Sequence, residues 1–224
     1  MAKTKVEFVC RECGASHHQW AGQCLDCKEW NTLEEIVISQ ATSSKPESLK
    51  DLPASKVQNL TEIKAQNKDR LSTGLSELDR TLGGGLVDGS VVLIGGDPGI
   101  GKSTLILQAL AKLNSDNTTL YVSGEESAEQ VSERAIRLGI KEDILFIGET
   151  HLEKIIKLSK DVKPKVIVID SIQTMVTDLS ASAPGSVTQV RDCAAQLTQF
   201  AKQTNTILLM IGHVTKGGAL AGPR

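Results

Sequence analysis

Apolar positions fall into short runs of strand length, separated by stretches with helical period. "VVLIGG" (Val91–Gly96), "TTLYVS" (Thr118–Ser123), "ILFIG" (Ile144–Gly148), "KVIVID" (Lys165–Asp170) and "TILLMIG" (Thr206–Gly212) read as strands. The first and last of these read as buried, and Lys165–Asp170 is apolar on both faces. Helices are predicted over about Gly101–Leu113, Ala128–Leu138, Leu152–Lys160 and Ser186–Gln203. In the last of these, Val187, Val190, Ala194 and Leu197 share one face. Strands alternating with helices predict an α/β fold, a mainly parallel sheet with helices on both faces. No internal repeat is visible.

The pattern is lost from Ser39 to Lys56, "SQATSSKPESLKDLPASK", which is rich in Ser, Lys and Pro. Such a stretch reads as a linker. It divides the chain into a small module over 1–38, a flexible linker over 39–60 and an α/β domain over 61–224.

Composition narrows the class. The 224 residues carry a formal net charge of -2, with 40% hydrophobic and 3% aromatic residues. This suits a soluble globular protein without a global basic field, so nucleic-acid contact would have to come from local patches. The N-terminus lacks an apolar signal core, and runs such as "ILLMI" are too short to span a bilayer. A cytoplasmic location with no membrane partner is expected, and there structural disulfides are rare.

Gly96-Asp97-Pro98-Gly99-Ile100-Gly101-Lys102-Ser103 matches the phosphate-loop pattern GxxxxGK[ST] between a predicted strand and a predicted helix. Glycines let backbone N–H groups turn inward around phosphate oxygens, and the helix N-terminus favours an anion. Lys102 would reach the β/γ-phosphates, Ser103 would ligate Mg²⁺ and Thr104 could touch the α-phosphate. Asp170, closing its strand, fits a second Mg²⁺-holding group. Hydrolysis also needs a group that orients or deprotonates water. "YVSGEES" places Glu125 and Glu126 at the same sheet edge, with Glu125 favoured as the base and Glu126 supporting or substituting. Both could equally be charges at a helix N-terminus. His213 ends another strand at that edge, either as a γ-phosphate sensor or as a structural histidine. The chain's NK pair, Asn67-Lys68, precedes the loop and lacks the guanine-motif context, so ATP is favoured over GTP.

Four of the five cysteines, Cys10, Cys13, Cys24 and Cys27, form two CxxC pairs. Two such turns fill a tetrahedral Zn²⁺ shell with no open position, which argues for structure rather than catalysis. A redox pair would instead call for one CxxC leading a helix. His17 and His18, between the pairs, are not needed as ligands and read as exposed loop residues. So small a module needs a staple to fold. Cys193, within a predicted helix, reads as a small buried hydrophobe.

The segments "LSTGLSELDRTLGGGLVDGS", "GGDPGIGKST", "YVSGEES", "VIVIDSIQT" and "HVTK" together resemble the RecA-like ATPase core. The cysteine module, with Trp20, Gly22, Trp30 and Asn31, and the stretch "SAPGSVTQVRDCAAQLTQFAK" are similar to the bacterial RadA (Sms) family. That resemblance implies a DNA-repair ATPase of the bacterial nucleoid. It would bind single-stranded and branched DNA, work beside a RecA-type recombinase filament and drive branch migration as a helicase-like homo-hexamer. Lys102, Ser103, Asp170 and Glu125 match the family's nucleotide site. Thr174–Gly185 corresponds to a loop facing the ring channel, and Thr215–Arg224 leads into a second. The family usually has an acidic residue where Gly217 stands. Its KNRFG motif and Lon-protease-like domain are not in these 224 residues.

Thr174–Gly185 contains no Lys or Arg, so phosphate contacts would fall to Lys216, Arg224 or Arg191, each of which could also be a plain surface charge. Two other readings stay open. One is a nucleotide-switched signalling ATPase or kinase on the same core. The other is a zinc-dependent interaction module with a vestigial nucleotide site.

Overall fold

The computed structural model describes residues 5–10, 12, 15–38, 59, 70–113, 117–180 and 182–213. The linker reading falls almost wholly outside these residues, as do Cys13 and everything after His213. Among the described residues, no helix is long and apolar enough to cross a membrane.

The N-terminal module is an antiparallel sheet of β1 (Lys5–Cys10), β2 (Ser16–His17) and β3 (Leu33–Ile38), in the order β2-β1-β3. Among the described residues its buried core is Cys10, Cys24 and Leu33, with Phe8, Ala15, Ala21 and Cys27 against them. A module of so few residues needs a staple to fold, and the clustered thiols are placed to supply one through a metal.

The second sheet is wholly parallel. Its strands are β4 (Val91–Gly96), β5 (Thr119–Ser123), β6 (Leu145–Gly148), β7 (Val166–Asp170) and β8 (Ile207–His213), in the order β4-β8-β7-β5-β6. Alternate residues feed two cores. Leu120, Val122, Ile167, Ile169, Leu208 and Met210 pack with residues of α4 (Leu152–Val162) and α5 (Val187–Thr204). Tyr121, Val166, Val168, Leu209 and Ile211 pack with residues of α2 (Lys102–Leu113) and α3 (Ala128–Arg137). Helices therefore cover both faces, as the alternation predicts.

One strand departs from expectation. Val91–Gly96 reads as buried, yet among the described residues β4 pairs with β8 alone, and Leu93 is 48% exposed. Its apolar run is interior in character, but no described strand covers its outer side. A short helix, α1 (Ser76–Thr81), was not predicted; it has six residues and buries none of them. Its fixing point is Asp79, which accepts bonds from the Ser72 hydroxyl at 2.6 Å and from Thr73 N and Oγ1 at 2.8 Å.

Candidate nucleotide and metal sites

β4 ends at Gly96, and α2 begins at Lys102. Between them Gly99 and Gly101 adopt φ of 77° and 98°, which a side chain would strain, and no atom lies within 4 Å of a Cβ built on either. The loop is thus an open cradle at a helix N-terminus, as phosphate binding requires. Lys102 is buried, and its Nζ donates to the Gly96 and Asp97 carbonyls at 2.9 and 2.8 Å. Ser103 and Thr104 lie in the first turn of α2, both partly exposed.

Strand register assembles the rest. Gly96 pairs with His213, Ser123 pairs with Asp170, and Asp170 pairs with Ile211, so four strand ends meet at one edge. His213 Nδ1 lies 3.3 Å from Lys102 Nζ, and His213 Nε2 lies 3.5 Å from Glu125 Oε1. The same Glu125 oxygen accepts a hydrogen bond from the Ser171 hydroxyl. Asp170, 6% exposed, accepts from the Tyr121 hydroxyl at Oδ2.

In the N-terminal module the thiols of Cys10, Cys24 and Cys27 lie within 4.8 Å of one another, and those of Cys10 and Cys27 are 3.6 Å apart. Two thiolates each about 2.3 Å from a tetrahedral ion would be about 3.8 Å apart, so the spacing fits Zn²⁺. His17 departs from the exposed-loop reading. Its side chain is 11% exposed, with Nε2 3.4 Å from Cys24 Sγ and 3.6 Å from Asp26 Oδ2, because β2 folds it back over the thiols. His18 is exposed, as expected.

The profile of the AAA domain family matches residues 58–219. The chain belongs to the AAA domain family. A rubredoxin metal binding domain matches residues 8–35, ahead of the AAA domain. The resemblance to RadA is borne out along the whole chain. DNA repair protein RadA of Pseudomonas aeruginosa is 53% identical over 225 residues, covering 100% of this chain and 50% of that protein. RadA of Haemophilus influenzae is 49% identical over 229 residues and RadA of Bacillus subtilis 46% over 228, with the same coverage. The chain thus spans about half the length of the curated relatives it matches. ATP with Mg²⁺ for the AAA domain and Zn²⁺ for the ribbon are the cofactors these assignments imply, and the open cradle and thiol spacing fit them.

Within the AAA domain the two glutamates differ. Glu125 faces the edge where Lys102 and His213 meet, with its side chain 42% exposed. Glu126 is turned into an ion pair with Arg134 of α3, and its backbone N–H donates to Ser123 Oγ at 2.9 Å. That bond to Glu126 raises the Arg134 pKa.

The Thr174–Gly185 segment is only partly a free loop. Met175 and Thr177 are buried, and Val176 bonds to Thr150 and Leu152 through its backbone at 2.9 and 2.8 Å. Gln196 Nε2 donates to Thr177 Oγ1 at 3.0 Å, and Gln189 Nε2 to the Thr177 carbonyl at 3.3 Å. Leu179, beyond this anchor, is 80% exposed. Arg191 is exposed on α5, while Lys216, Gly217 and Arg224 lie outside the described residues.

Sequence reasoning missed Tyr121, Ser171 and Gln173. Gln173 Nε2 donates to the His213 carbonyl at 3.1 Å, tying the turn after β7 to the end of β8. The available signal was adjacency, since "DSIQT" places two of them beside Asp170.

Proposed function

We propose that the chain is the ATPase part of a DNA-repair motor that binds single-stranded and branched DNA and couples ATP hydrolysis to branch migration. The observation that carries this reading is the line Lys102–His213–Glu125–Ser171 along one sheet edge, closed by contacts of 3.3 and 3.5 Å around His213. Lys102 neutralises the β/γ-phosphates held in the cradle of Gly96, Asp97, Pro98, Gly99, Ile100 and Gly101, while Thr104 contacts the α-phosphate. Ser103 and Asp170 hold Mg²⁺, which when bound supplies charge neutralisation at the phosphate oxygens. Glu125, oriented by Ser171, holds and deprotonates the attacking water. Glu126 supports it indirectly by fixing the start of α3 through Arg134. His213 touches both the phosphate-facing lysine and the base, so γ-phosphate loss is felt at the segment that follows β8.

DNA contacts are assigned to the exposed part of Thr174–Gly185 and to Arg191, Lys216 and Arg224. The similarity to RadA supports this, together with assembly as a homo-hexamer at the bacterial nucleoid. The division into a zinc module over 1–38, a linker over 39–60 and an ATPase domain over 61–224 belongs to the same proposal. Cys13 completes the zinc shell of Cys10, Cys24 and Cys27. Trp20 and Trp30 of that module are 60% and 68% exposed, and Glu12, Asp26, Glu29 and Glu35 of the same module are exposed against one exposed lysine among its described residues, Lys28. Such a surface suits a protein better than a phosphate backbone, and we assign it to the recombinase filament.

ATP turnover measured with and without single-stranded DNA tests the motor reading. Stimulation that weakens steeply with salt is expected; turnover indifferent to DNA would favour the nucleotide-switched signalling class instead.

A further inference from the structure

Tyr121 is the chain's single tyrosine, fully buried in mid-strand on β5. Its ring stacks on Phe146 with centroids 6.3 Å apart, within the apolar cluster that includes Ile106, Leu107 and Leu110 of α2. Packing alone would be served as well by phenylalanine. A hydroxyl buried among such neighbours is destabilising unless it is bonded. Its bond goes to Asp170. Register explains the reach: Tyr121 pairs with Val168, and Asp170 lies two residues further along β7 on the same face.

We propose that Tyr121 is a positioning residue for the metal-holding carboxylate. By engaging Oδ2 of Asp170, it fixes the rotation of a carboxylate whose terminal torsion is otherwise soft, so the second oxygen keeps one orientation before Mg²⁺ arrives. This rests on the assignment of Asp170 to Mg²⁺ made above.

The test compares Tyr121→Phe with Asp170→Asn in the whole chain, reading Mn²⁺ binding in the presence of ADP by electron paramagnetic resonance. The dependence of ATP turnover on Mg²⁺ is measured alongside. Tyr121→Phe should raise the metal concentration for half-saturation by about tenfold and leave turnover at saturating metal within about twofold. Asp170→Asn should abolish the specific Mn²⁺ signal. An unchanged half-saturation in Tyr121→Phe overturns the positioning role while leaving the metal assignment standing. An unchanged Mn²⁺ signal in Asp170→Asn overturns the metal assignment, and this role with it. Because the tyrosine is unique, 3-fluorotyrosine incorporation gives a single ¹⁹F resonance in the unsubstituted chain. That resonance should move with Mg²⁺ in the presence of ADP, and one blind to Mg²⁺ would also sink the proposal.

Discussion

Lys102 and His213, 111 positions apart in sequence, bring Nζ and Nδ1 to 3.3 Å. The lysine proposed to meet phosphate is thereby in contact with the residue that ends β8. His213→Ala should narrow the preference for ATP over ADP by roughly tenfold, the scale of one hydrogen bond to a charged group. Lys102→Ala should weaken both nucleotides together. Titration with fluorescent ATP and ADP analogues separates these outcomes; an unchanged ATP-to-ADP ratio in His213→Ala would remove the sensor role.

The adjacent glutamates should respond differently. Glu125→Gln should lower turnover by about 10²–10⁴-fold while nucleotide binding persists. Glu126→Gln should lower turnover by less than about tenfold and cost about 1–3 kcal/mol of stability, because it weakens a partly buried pair with Arg134. Single-turnover kinetics and urea unfolding of both variants check the contrast, and equal kinetic losses would refute it.

Zinc removal should unfold one module selectively. Chelation or Cys24→Ser is expected to abolish the β1–β3 structure, whose stability draws on roughly 10–16 kcal/mol of apparent metal binding. Basal ATP turnover should persist, while the response to DNA or recombinase is lost. Zinc content and amide exchange over residues 5–38 are the measurements.

Acid sensitivity has a defined contributor. Glu149 caps the entrance to α4, with Oε1 accepting the His151 N–H at 3.0 Å and the Thr150 N–H at 2.9 Å and Oε2 3.0 Å from Lys154 Nζ. Led by the His151 bond, these contacts lower its pKa from 4.5 to about 2. A depressed folded-state value means the stabilisation is fully present above the unfolded pKa near 4.5 and disappears as pH falls toward 2. Glu149→Gln should therefore cost about 1–2 kcal/mol at pH 7, allowing for solvent screening, and converge with the parent chain near pH 2. Urea midpoints measured across that range provide the check.

What could be read from the sequence depended on how local each cause is. β5, β7 and β8 carry their burial in their own residues, so their positions were legible. The exposure of Leu93 on β4 is decided by what lies beside that strand, and "VVLIGG" carries no trace of it. α1 has no apolar period to detect, since what holds it is the bonding of Asp79 to Ser72 and Thr73. The phosphate loop was legible because its chemistry is contiguous. Glu125 was favoured over Glu126 as the base, but what separates them was not legible, because the difference is made by Arg134, two turns along α3. Tyr121 looked like any core aromatic until strand register brought its hydroxyl to Asp170.

The pairing of β4 with β8 joins Val91 to Leu208 and Gly96 to His213. During synthesis the strand carrying the phosphate loop emerges long before its only strand partner among the described residues. Closing so long a loop has to precede any reward from the contact. A nascent chain should then hold its nucleotide loop on an unpaired strand until β8 leaves the ribosome. ATP binding would be acquired abruptly at that point, and until then the unpaired β4 is where a chaperone would have most to protect.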